Sequence, residues 1–123
     1  MRLSRAVALA VALAVGPGSV APTHWSDART DLDRVPLSVW VSASGELFTV
    51  GGPLGSAGDT LFLRHDGAGW HEETVGSTVT LWWVFGLSAS DVWIVGEEGT
   101  VLHWDGAALT AEPIPTTETL FDV

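Results

Sequence analysis

The chain repeats itself, and that constrains its fold more than any other feature. The stretch VWVSASGELFTVG (Val39–Gly51) aligns without a gap on VFGLSASDVWIVG (Val84–Gly96). Trp40 falls on Phe85, Glu46 on Asp91, Phe48 on Trp93 and Gly51 on Gly96. Farther on, LFLRHDG (Leu61–Gly67) matches TVLHWDG (Thr100–Gly106), so that Asp66-Gly67 coincides with Asp105-Gly106. The first copy is the longer one, by an insertion in the loop Gly51–Asp59. A unit of roughly 39–45 residues that recurs in tandem cannot bury its apolar face alone and has to stack on its neighbours.

Each unit reads as four short strands. In the second copy they fall at about Leu81–Gly86, Val92–Val95, Thr100–Trp104 and Ala107–Glu112; in the first, at Leu37–Val41, Glu46–Val50, Thr60–His65 and Trp70–Val75. These segments are rich in β-branched and aromatic residues and are bounded by Gly, Asp and Ser. Glu98-Gly99 and the two Asp-Gly pairs read as hairpin turns, because glycine accepts the positive φ of tight turns. No stretch after residue 21 combines a helical apolar period with a capping signal. The tail TTETLFDV repeats the lead-in to the second copy: Thr119-Leu120 matches Thr80-Leu81 and Val123 matches Val84. The expected fold class is all-β, with four-stranded antiparallel propeller-type blades at residues 36–79 and 80–118. Residues 119–123 read as the start of a truncated third repeat.

The pattern of VW or VF, then SASDVW, then VLHWDG resembles the tandem WD-repeat-like and BNR-like β-propeller repeats of secreted bacterial proteins of the myxobacterial type. The resemblance covers about residues 36–123. The first copy departs from it at Val41, where glycine is expected, and Leu109 replaces the tryptophan that stands at Trp70 in the first copy. What the resemblance implies is a four-stranded blade and no particular activity, since such folds host unrelated functions. Trp40, Phe48, Asp66, Gly67, Phe85, Trp93, Gly96, Trp104, Asp105 and Gly106 then read as structural repeat positions. Propellers close with about four to eight blades. A stacked pair therefore leaves apolar faces and strand edges bare, and self-association through them is expected.

Residues 1–21 read as a secretory signal. Arg2 and Arg5 start it, Ala6–Val15 is an unbroken run of Ala, Val and Leu, and Ser19-Val20-Ala21 supplies small residues for cleavage. The run is shorter than the roughly 20 residues of a spanning helix. Residues 22–35 are polar and proline-led and read as a linker. The expected location is outside the cytoplasm: secreted, periplasmic or on the cell surface. With no cysteine, the chain has no lipoprotein anchor, disulfide, thiol nucleophile or thiolate metal site.

Charge narrows the partners. Fifteen acidic residues stand against five basic ones, all arginines. Such a surface repels phosphate backbones and anionic membranes, which leaves a protein or a carbohydrate as the expected partner and excludes nucleic acid.

The candidate chemistry is sparse. Sialidase-like hydrolysis uses a tyrosine nucleophile and an arginine cluster, whereas this chain has no tyrosine and only Arg64 inside its repeats. The acid pairs Glu72-Glu73 and Glu97-Glu98 suggest glycosidase carboxylates, but neighbours on a strand point to opposite faces. His65, Asp66, His71, Glu72 and Glu73 form the densest set of metal-ligand types, with His65, His71 and Glu73 as the candidates. His65 and His71 flank a hairpin and could face each other across it. They lie on no H-E-x-x-H helix and in no calcium loop, so a solvated hairpin is the expectation, and no cofactor is implied. His103 belongs to the repeat pattern itself. Trp82 and Trp83 are adjacent, so on a strand one faces outward as a ligand-binding ring. The expected function is a non-catalytic secreted repeat module, a binding or scaffolding surface. The alternative is a fragment of a propeller hydrolase or lyase whose active site lies in other blades.

Overall fold

A computed structural model describes residues 7–10, 27–54 and 58–123. The chain is all-β and divides into two compact units, Met1–Asp33 and Arg34–Val123. In the first, β1 (Val7–Ala10) pairs antiparallel with β2 (Asp27–Leu32). The stretch 22–35, expected to be a linker, therefore carries a strand. Arg29 and Asp31, two apart and so on one side of β2, join in a bidentate ion pair with Arg29 Nε 2.6 Å from Asp31 Oδ1. Most of the expected export signal lies outside the described residues. No helix among the described residues is long and apolar enough to cross a membrane.

The second unit holds two four-stranded antiparallel meanders. The first is β3 (Arg34–Val41), β4 (Leu47–Pro53), β5 (Leu61–His65) and β6 (Trp70–Glu72), hydrogen-bonded in that order. The second is β7 (Leu81–Ser88), β8 (Asp91–Gly96), β9 (Val101–Trp104) and β10 (Leu109–Ala111). The registers agree with the gap-free alignment. Trp40 pairs with Phe48, which pairs with Arg64; at the same places in the second sheet Phe85 pairs with Trp93 and Trp93 with His103. Both outer strands are shorter than expected. After Glu72 the chain leaves the sheet to cross to β7, and buried Thr60 fastens that crossing: its N–H donates to the Ser77 carbonyl at 3.0 Å, and its hydroxyl lies 2.6 Å from the Val79 carbonyl.

One of the three expected turns differs in build. Glu98-Gly99 is a two-residue turn with φ of 56° and 67°, closed by the Thr100 N–H donating to the Glu97 carbonyl at 3.0 Å. Asp66-Gly67 opens the four-residue loop 66–69 left between the expected strands, with His65 paired to Trp70, whereas Asp105-Gly106 opens a longer loop than expected, 105–108, with Trp104 paired to Leu109.

The two sheets pack front on back. The front of the first sheet presents Ser38 and Trp40 from β3, Phe48 and Val50 from β4, and Phe62 and Arg64 from β5. It meets the back of the second sheet: Val84 and Gly86 from β7, Val92 and Ile94 from β8, Leu102 and Trp104 from β9. Phe48, Val50, Phe62, Val84, Val92, Ile94, Leu102 and Trp104 form one buried cluster with Leu81. Aromatic edges run through it, Phe48 on Phe62 at 6.5 Å and Phe62 against Trp104 at 6.0 Å between centroids, and the Arg64 guanidinium lies 5.2 Å above the Trp104 ring. At the inner edge the Val84 N–H donates to Ser38 Oγ, 3.2 Å.

The tightest point of this interface is Trp40 on Gly86. A Cβ on Gly86 would come within 2.7 Å of the Trp40 ring, so the indole occupies the volume that a side chain would take. We expect Gly86→Val to lower stability by about 1–3 kcal/mol through overpacking and Trp40→Ala by about 3–5 kcal/mol through the cavity it leaves. Because both changes act on one contact, the double variant should lose clearly less than the sum. Urea denaturation of the four proteins measures this, and strictly additive losses would contradict the contact.

Candidate functional site

The aromatic front face of the first sheet is covered by the second sheet, whereas the same face of the second sheet is open at Trp83 and Phe85, with Trp93, Val101 and His103 partly buried and Val95 buried. That face presents Trp83 and Phe85 from β7, Trp93 and Val95 from β8, and Val101 and His103 from β9. Trp83 and Phe85 are each 43% exposed. Leu87, two residues on, is 77% exposed. The register of β7 is irregular between Leu81 and Trp83, and of the two adjacent tryptophans Trp83 is the exposed one. Trp82 is half-buried and lies against Phe121, 5.7 Å between centroids. Its indole nitrogen is buried and has no hydrogen-bond partner.

A polar triplet completes the face. Asp91 Oδ1 accepts from Trp93 Nε1 at 3.0 Å and lies 2.8 Å from His103 Nε2. The imidazole packs on the indole at 4.4 Å between centroids. Asp91 starts β8, Trp93 stands two residues along on the same side, and the register sets His103 opposite Trp93. In the first copy Glu46, Phe48 and Arg64 occupy these places, so this group of three is particular to the second sheet. Sequence reasoning assigned His103 to the repeat pattern and missed its partners. The signal was present: Asp91 and Trp93 at alternate positions, with the histidine opposite them in the aligned pattern.

The proposed metal ligands do not converge. His65 pairs with Trp70 and Arg64 with His71, so the two histidines stand on opposite faces and do not face each other. Their side chains are engaged separately. His65 Nδ1 accepts from the Gly67 N–H at 3.1 Å, and the ring meets the edge of Trp70. His71 Nε2 lies 2.7 Å from Asp66 Oδ2. Glu73 Oε1 accepts from Arg64 at 3.3 Å. Among the described residues no group of three or more such side chains is placed to hold a metal ion.

The paired acids are also occupied individually. Glu72 pairs with Arg34, and Glu97 Oε2 accepts from the Thr80 N–H at 2.8 Å. Glu98 forms the tight turn. No two of these four carboxylates are arranged about a common point.

Asp66 and Asp105 organise the two four-residue loops in the same way. Asp66 Oδ1 accepts from the N–H groups of Ala68 and Gly69 at 2.9 and 3.0 Å. Asp105 Oδ1 accepts from those of Ala107 and Ala108 at 2.8 and 2.7 Å. Gly67 and Gly106 supply the positive φ, 91° and 97°, that turns both amides onto the carboxylate. The Ala68 N–H, then the Gly69 N–H, then His71 hold Asp66 far below the usual carboxylate range. The Ala108 and Ala107 N–H groups lower Asp105 in the same way. A depressed folded value means that each loop is stabilised above the ordinary aspartate value of about 3.9, and that this contribution is lost as pH falls through the depressed value. Carboxyl-carbon NMR titration should therefore place both midpoints below that of a peptide aspartate. Replacing both with asparagine should flatten the acid side of the stability–pH curve; unchanged curves would contradict the cradle.

Comparison of the chain with protein families, curated proteins and solved structures finds no match.

Proposed function

We infer that the chain is an exported, non-catalytic repeat module of the β-propeller type, in which stacked four-stranded sheets form a scaffold and the front of the second sheet is the binding surface. One observation carries this reading: the front face of the first sheet is an interface, and the equivalent face of the second exposes the rings of Trp83 and Phe85. The meander orders β3-β4-β5-β6 and β7-β8-β9-β10, and the matching registers of the two sheets, support this reading. Charged side chains support the absence of catalysis in this part of the molecule. Glu72 pairs with Arg34, Asp66 and Glu73 share Arg64, Glu97 holds the Thr80 N–H, and Asp91 holds the Trp93 ring. The chain's excess of acidic over basic residues favours a protein or carbohydrate partner over a polyanion.

If Trp83 and Phe85 belong to a binding surface and not to a core, replacing both with serine should cut apolar-dye binding and concentration-dependent association. The melting temperature should stay within a few degrees, since substitutions at exposed sites usually cost under about 0.5 kcal/mol. A collapse of the fold, or unaltered dye binding, would overturn the surface assignment. Export is tested separately. Residues 1–21 fused to a phosphatase that is active only outside the cytoplasm should give activity, and the Arg2→Glu, Arg5→Glu version should give less. A silent fusion contradicts export.

A further inference from the structure

The two Asp-Gly pairs, Asp66-Gly67 and Asp105-Gly106, carry a chemistry of their own. In such a pair the glycine nitrogen, unhindered by a side chain, attacks the aspartate Cγ, water leaves, and a cyclic imide forms. Water then reopens the imide at either carbonyl, to aspartate or to isoaspartate, in which the chain runs through the side-chain carboxyl. The reaction needs a base for the amide proton, donors for the negative oxygen of the tetrahedral intermediate, and an acid for the oxygen that departs.

Both loops supply the donors. Asp66 Oδ1 accepts from the Ala68 and Gly69 N–H groups at 2.9 and 3.0 Å, and Asp105 Oδ1 from those of Ala107 and Ala108 at 2.8 and 2.7 Å. Two backbone donors on one oxygen at such distances are the arrangement that stabilises an oxyanion. By itself this cradle leaves the carboxylate inert, because it holds the group ionised and an ionised carboxylate has no leaving group.

The base and the acid stand at Asp66 alone. His65 Nδ1 accepts from the Gly67 N–H at 3.1 Å, so an imidazole already holds the proton of the attacking nitrogen. His71 Nε2 lies 2.7 Å from Oδ2, the oxygen that the cradle leaves free. Both distances are within the reach required of a general base or acid. Arg64, 4.0 Å from Oδ2, is the other cation facing this carboxylate, and it is shared with Glu73. At the aligned places the second loop has Trp104 for His65 and Thr110 for His71. The indole is no base, and the Thr110 hydroxyl is turned to the His103 carbonyl.

We propose that Asp66-Gly67 is a self-modification site, where the folded chain forms the cyclic imide with His65 as base, His71 as acid and the Ala68 and Gly69 amides as oxyanion donors. The Gly67 nitrogen gives its proton to neutral His65 and bonds to Cγ. The His71 imidazolium protonates Oδ2 as the nitrogen attacks, so that negative charge gathers on Oδ1 alone. The Cγ–Oδ2 bond then breaks, and the proton taken by His65 returns through solvent to complete the departing water. Both imidazoles end neutral, and nothing is oxidised or reduced. This is one change of the chain itself, not turnover of a substrate, and it does not depend on what the second sheet binds. Isoaspartate adds a methylene to the backbone of loop 66–69, so the change falls on β6, the outer strand of the first sheet.

The second loop is an internal control. The full chain is aged folded, near neutral pH, in heavy-oxygen water, and chymotryptic peptides that separate the two sites are read by mass spectrometry. Each passage through the imide leaves label at the aspartate, whichever way the ring reopens. Asp66 should label at least about tenfold faster than Asp105, a small share of the roughly 100- to 10,000-fold that a positioned acid or base contributes. In urea the two sites should label at similar rates. His65→Phe keeps a ring against Trp70 and removes the acceptor; His71→Gln keeps an N–H for Oδ2 and removes the transferable proton. Each should bring folded Asp66 down to the rate of Asp105. Should a variant unfold, the comparison of the two sites in the parent chain still decides. Equal labelling of both sites in the folded parent, or an undiminished rate at Asp66 in both folded variants, would overturn the proposal. Slower labelling at Asp66 than at Asp105 would overturn it too, and would make the two histidines locks on the amide and the carboxylate.

Discussion

The indole of Trp40 resting on Gly86 sets the distance and the offset between the two sheets. Everything else in the interface is arranged at the spacing that this contact allows. Phe62 can meet the edge of Trp104, and Arg64 can lie over its face, because the inner edges of the sheets approach until ring touches backbone. Ser38 can satisfy the Val84 N–H for the same reason. Dense packing makes such a contact intolerant in both directions: a missing ring leaves a void, and an added methyl group pushes the sheets apart. The close approach recurs inside each sheet, where Gly51 and Gly96 lie against the carbonyls of Val35 and Thr80, again at equivalent places.

Polar groups in this molecule mostly do local mechanical work. The carboxylates of Asp66 and Asp105 substitute for the missing backbone acceptors of a four-residue loop. Glu97 ties the start of β7 to the end of β8, and Thr60 anchors the crossing between sheets. The residues that invite catalytic or metal readings are thus the ones that a small β-structure with short strands needs at its ends. The exception is the Asp91, Trp93 and His103 group, which lies on an open face and ties down a ring that is otherwise free to turn.

Much of the fold could be read from the residues. The ungapped match between Val39–Gly51 and Val84–Gly96 is matched by equal registers in the two sheets, and a one-residue slip would carry Phe48 and Val50 to the opposite side from Trp40. Strand ends were less legible. Asp105-Gly106 looked like a two-residue turn, yet the aspartate accepts two amides and the loop has four residues. His65 and His71 fall on opposite faces because His65 pairs with Trp70 and Arg64 with His71. The strand Asp27–Leu32 was invisible because its sequence, DARTDL, has neither alternation nor β-branched richness. Which face meets which was out of reach, since both faces of β4 are apolar. The departure at Val41 was visible in the alignment as a lost glycine.

Front-on-back packing gives the stack a direction. In a front-on-front arrangement the first contact consumes both partners' surfaces and assembly ends there. Here every added sheet consumes one face and presents another, so the interface contains no stop signal of its own.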